Sequence, residues 1–151
     1  MTSADDDEGI VLGRAGEAQL RLGQCVWESD RSGLRIPLHI VGREVDARAH
    51  LDLETWGGHE PTLIAFFASL ADEWRGWSGA KTWRDDGAHV WMTATHNGRD
   101  LITIRTRIDP FFGGEPGAWE LSVDLPIEPG SLDASVVALR ELLRQPPTTS
   151  K

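Results

Sequence analysis

The chain has 151 residues, 40% of them hydrophobic and 26% charged, with a formal net charge of −9. Those totals suit one globular domain with a real core, and the acidic balance argues against nucleic acid and anionic membrane surfaces, which are bound through Lys and Arg. No apolar run reaches the roughly 20 residues that span a bilayer, the start MTSADDDEG lacks the basic and apolar stretches of a signal peptide, and a single cysteine, Cys25, excludes an internal disulfide or a thiolate metal cluster.

The expectation is therefore a cytoplasmic protein with one domain over residues 10–145. The acidic start, 1–9, and the end, 146–151, read as disordered tails. Within the domain, residues 18–28 place Leu20, Leu22 and Val26 at strand spacing. Residues 34–41 alternate Leu34, Ile36, Leu38 and Ile40, with Pro37 favouring an edge or a bulge because it has no N–H to give a ladder. Residues 45–53 set Val45, Ala47, Ala49, Leu51 and Leu53 against Asp46, Arg48, His50 and Asp52, as in a sheet with one wet face.

The period then changes. Leu63, Phe66, Phe67, Leu70 and Trp74 fall on one helical stripe, so Trp74 should be buried against the sheet. Pro61 suits the first helical position. Gly76 suits a stop with positive φ, with Trp77 folded back on the last turns. Strands follow over 80–85, 88–96 and 100–108, the last two joined at Asn97-Gly98 and the first two by a tight turn at Asp85-Asp86-Gly87. Residues 118–127 alternate Trp119, Leu121, Val123, Leu125 and Ile127, and a final helix starts behind a Ser131 N-cap with Leu132, Val136, Leu139 and Leu143 inward. The fold class is α+β: a mainly antiparallel sheet of about six to seven strands with two helices on one face.

No G-x-S-x-G elbow or Walker loop is present, and no catalytic residue or cofactor is expected. Cys25 reads as a small core residue. Among the histidines, His50 and Asp52 share a strand face but make only two ligands beside a cation. His89 and His96 are seven apart on one strand and so project to opposite faces, and His59 decorates a turn. Glu54, Glu60, Asp72 and Glu73 read as solvated carboxylates around the helix ends. Trp74, Arg75, Gly76, Trp77, Trp83 and Trp91 read as an aromatic joint between helix and hairpin, with cations on ring faces. Between Ile108 and Leu139 there are six acids and no Lys or Arg. Asp109, Glu115, Glu120 and Asp124, around the glycine-rich loop with Phe111 and Phe112, form the candidate surface for a basic protein partner.

Asp72, Arg75, Gly76, Trp77, Gly79 and Trp83, within FFASLADEWRGWSGAKTW, resemble the helix-terminal D/E-x-x-R/K-G-W-x-G-x-x-x-W hallmark of an uncharacterised actinobacterial family. The resemblance covers about residues 35–145 and implies a fold but no activity. In size, charge and plan the chain is also similar to the small immunity proteins that neutralise secreted bacterial toxins, which implies a non-enzymatic protein that masks a basic partner. The alternative is a small-molecule-binding or enzymatic domain, with a pocket at the Trp-rich helix–sheet junction served by His50 or His89. A third reading is an assembly module of a larger complex.

Overall fold

The computed structural model describes residues 9–27, 33–54, 60–109 and 119–144. Strict alternation of branched and polar residues gives the longest strands, β4 (Gly33–Val41) and β5 (Asp46–Glu54), which pair antiparallel along their whole length. The other edge of β4 is shared. β2 (Gln19–Leu22) pairs with residues 38–41 and β3 (Val26–Trp27) with residues 34–35, while β1 (Ile10–Leu12) lies outside β2. The strand expected over 18–28 is thus two strands, broken at Gly23–Cys25.

Pro37 explains the break. It sits not at an edge but in the middle of β4, opposite His50 on one side. On the other side the register slips by one, residues 23–25 facing only 36–37, so it lies at a bulge, as expected. Its carbonyl accepts from the Gly23 N–H at 3.0 Å, so its nitrogen also faces the β2–β3 side, where a ladder bond is absent. The full β4–β5 ladder loses nothing. One strand can therefore hold a central proline because its partner on that side is interrupted there.

A second sheet contains β6 (Ala80–Arg84), β7 (Val90–His96), β8 (Ile102–Ile108) and β9 (Leu121–Ile127) as an antiparallel meander in chain order. Among the described residues there are nine strands in two sheets, where one sheet of six to seven was expected. The reason lies at the free edge of β5. No described strand pairs there; the turn after β6 does, with the Asp86 N–H donating to Asp52 O at 2.9 Å and the Glu54 N–H to the Asp86 carboxylate at 2.7 Å. Asn97 organises the β7–β8 loop, its side-chain oxygen accepting from the N–H groups of Arg99, Asp100 and Leu101. That loop is five residues long rather than a two-residue Asn-Gly turn.

α1 (Thr62–Asp72) and α2 (Leu132–Leu142) pack on each other; α1 leans on β6 and α2 on β1. The pair therefore spans the two sheets instead of covering one face of a single sheet. Leu20, Ile36, Ile40, Leu51, Phe67, Met92, Ile104 and Leu139 all lie in one continuous core. Pro61 occupies the position just before α1, not its first turn. Ser131 does precede α2, but its hydroxyl donates to Glu128 O and caps no helical N–H.

The end of α1 departs from the helical stripe. The helix stops at Asp72, and Glu73 to Gly76 form a turn closed by the Gly76 N–H on Glu73 O at 2.9 Å. Trp74 is carried past the apolar stripe; it is 48% exposed rather than buried, with Arg75 5.1 Å from its ring. Gly76 has a φ of +142°, as expected, and Trp77 lies half-buried against the core. Lys81 stacks on the Trp77 ring at 5.4 Å while its ammonium holds Ser69 and Glu73, clipping Trp77 to the last turn. Trp83 and Trp91 do not join one cluster, because Trp83 pairs with Met92 and Trp91 with Arg84, so they point to opposite faces. Gly76→Ala is expected to lower stability by about 1 kcal/mol in a urea melt. A Cβ there would meet nothing closer than His96 at 3.7 Å, so the loss is conformational rather than steric.

Candidate functional site

β5 sets His50 and Asp52 side by side on the face turned away from the core. Across the β4–β5 ladder from Asp52 stands Arg35, whose Nε donates to Asp52 Oδ1 at 2.9 Å. The third member arrives from the other sheet. Asp85, 1% exposed, folds the β6–β7 turn around its carboxylate: Oδ1 accepts from the N–H groups of His89 and Val90, and Oδ2 accepts from the N–H of Asp52. The His89 carbonyl accepts from Asp109, so its backbone is held on both sides. Gly87 makes the approach possible. A Cβ at that position would lie 2.8 Å from Asp52 Oδ2 and 2.9 Å from His89 Nδ1.

His50, Asp52 and His89 thus present one donor atom each, all within 4.8 Å of one another. His50 Nε2 lies 3.8 Å and His89 Nδ1 3.6 Å from Asp52 Oδ2, beyond hydrogen-bond reach. His89 Nδ1 is buried and has no hydrogen-bond partner among the described residues. The rings meet edge to face with centroids 5.3 Å apart. Burial of His50, reinforced by the Arg35 charge, pushes its pKa below the ordinary histidine value, so the imidazole is neutral near pH 7. Two imidazole nitrogens and a carboxylate oxygen suit zinc, cobalt, nickel or ferrous iron better than calcium or magnesium. The donor spacings about Asp52 lie near the edge of a zinc tetrahedron, about 3.4 Å for bonds of about 2.1 Å.

From the sequence, His50 and Asp52 share a face, but His89 was placed on a strand with His96. β7 begins at Val90, so His89 belongs to the turn and its direction is not set by the pleat. A histidine within two residues of a glycine in a tight turn, added to His-x-Asp, was the signal available. Elsewhere, His96 Nε2 donates to Trp74 O at 2.8 Å and its Nδ1 accepts from the Gly98 N–H, which commits it to the turn after α1. His59 lies outside the described residues. The Cys25 thiol donates to Leu142 O at 3.3 Å, and burial pushes its pKa up, away from nucleophile chemistry. Glu60 pairs with Arg140 and Glu73 with Lys81.

The acidic run after Ile108 meets arginines that precede it in the chain. Arg105 forks onto Asp124 at 2.8 and 3.2 Å and holds its carboxyl below the usual range. Arg107 lies 3.1 Å from Glu120 and 3.7 Å from Asp109, with its guanidinium 4.3 Å from the Trp91 ring centroid. Phe111, Phe112 and Glu115 lie outside the described residues. The described part of this face therefore alternates in sign across β8 and β9. None of the described helices is long and apolar enough to cross a membrane. The model of a family described as "Family of unknown function (DUF6228)" matches residues 12–146. No curated protein matches the chain.

Proposed function

We propose that this chain, which belongs to the DUF6228 family of unknown function, binds a divalent transition-metal ion through His50, Asp52 and His89. One observation carries the reading: three good ligand atoms converge without bonding one another, and one of them, His89 Nδ1, is buried and unpartnered. Were the imidazoles only decorating the carboxylate, they would close to about 2.8 Å. Burying an unsatisfied nitrogen is costly unless something else fills it. Arg35, on the other oxygen of Asp52, would orient that carboxylate as outer partners of metal ligands do. Three protein ligands leave a position open for water or a small ligand.

Titration of the metal-free chain with Co²⁺, read by visible absorption and competed with Zn²⁺, is expected to give one tight equivalent. His50→Ala and His89→Ala are each expected to weaken binding at least tenfold, about 1.4 kcal/mol. His39→Ala, whose imidazole is committed to Asp46, is expected to leave it unchanged. His50 bonds nothing in the β6–β7 turn, so its variant separates loss of a ligand from loss of the fold. Equal affinity in all four proteins, or no equivalent bound, overturns the reading.

A further inference from the structure

Further along the same outer face of the first sheet lies a groove of about 460 Å³ at the β2–β3 break, within the size range of small-molecule sites. Arg21, His39 and Arg48 line it, on neighbouring strands: Arg21 pairs across to His39 and His39 to Arg48. The two arginine backbones therefore stand about 10 Å apart, close enough for both long side chains to reach over His39. Among the described residues no acidic side chain lines the groove, although the chain as a whole carries −9. His39 is hydrogen-bonded to Asp46 at 2.7 Å. Arg21 and Arg48 are exposed and form no ion pair or side-chain hydrogen bond among the described residues, whereas Arg35 on the same face is committed to Asp52. Val11 and Val26, 52% and 68% exposed, line it together with Pro37.

We infer that this groove binds a small molecule carrying a carboxylate or phosphate on an apolar body, with Arg21 and Arg48 holding the oxyanion and Val11, Val26 and Pro37 meeting the body. Two guanidiniums without an ion pair, in a groove that no described acid lines, are the arrangement that an anion completes, because each presents a planar fork of donors matched to two oxygens. Exposed valines beside them leave apolar surface for the remainder of the ligand to cover. The inference is independent of the metal, since none of its residues is a metal ligand.

The test is a titration followed by NMR in the presence of EDTA, with benzoate, phenyl phosphate and the uncharged benzamide as probes. At least one of the two anions is expected to bind at least tenfold more tightly than benzamide, and which of them does so assigns the head group. Arg21→Gln and Arg48→Gln, both at exposed positions, are each expected to weaken that binding at least tenfold. The run Asp5 to Glu8 precedes Gly9, which also lines the groove, and is itself a source of carboxylates. The titration is therefore repeated on a chain with Asp5→Asn, Asp6→Asn, Asp7→Asn and Glu8→Gln. Benzamide binding as well as the anions, unchanged affinity in the glutamine variants, or no anion binding on either background overturns the inference.

Discussion

Asp85→Ala is expected to lower unfolding free energy by roughly 3–6 kcal/mol, the largest loss of any single substitution considered, measured by urea denaturation followed through tryptophan fluorescence. The carboxylate accepts from three backbone N–H groups: His89 and Val90 on one oxygen, Asp52 on the other. Alanine leaves all three without an acceptor, and each buried orphan costs about 1–3 kcal/mol. The His89 and Asp52 N–H bonds are only part-buried, which holds the sum near the lower half of that range. Asparagine is no rescue, because it keeps one acceptor and aims an amide NH₂ at the other donor. Against a typical domain stability of about 5–15 kcal/mol, the loss leaves little in reserve. A midpoint shift equivalent to less than 1 kcal/mol would mean that the turn opens to solvent at no cost, and that Asp85 does not join the sheets.

Trp83→Ala follows, at about 3–5 kcal/mol, the range for truncating a large ring in a core. Trp83 is 8% exposed, its ring lies 6.5 Å from that of Phe66, and its indole N–H donates to the Thr62 hydroxyl at 3.0 Å. It therefore joins β6 to the first turn of α1 by packing and by a directed bond together. Trp83→Phe isolates the second part and is expected to cost less than the alanine variant. Trp74→Ala serves as the contrast, at no more than about 1 kcal/mol, since half-exposed side chains away from special features contribute little. Equal losses at the two tryptophans would reverse this assignment.

Sequence periodicity carried the elements well because their apolar residues repeat at the pitch of the structure that buries them. β4 was expected over 34–41 and runs over 33–41; β5 was expected over 45–53 and runs over 46–54. The same logic failed where the chain leaves an element without breaking its pattern. Trp74 lies on the stripe of α1 by spacing, yet the helix ends two residues earlier, and the turn closed by Gly76 rotates it outward. β1, three residues long, is too short to show a period. The division into two sheets was not legible, because it depends on the free edge of β5 meeting the Asp85–Asp86 turn. That bond joins residues 33 apart, and no local pattern encodes it. The candidate site fell on the same boundary. His50 and Asp52 could be placed together from alternation alone, while His89 needed the tertiary link that Asp85 provides.

Pro37 has a consequence of another kind. By withholding an N–H from the side of β4 where β2 gives way to β3, it keeps the ladder open where the groove lies. A valine in its place would restore a donor on that side, yet the one-residue slip between β2 and β3 would still keep them from running as one continuous strand. A laboratory selection for heat-resistant clones of this chain could close it only where the loss of one residue from 23–25 accompanies a change at Pro37, so the gap is protected by two independent features.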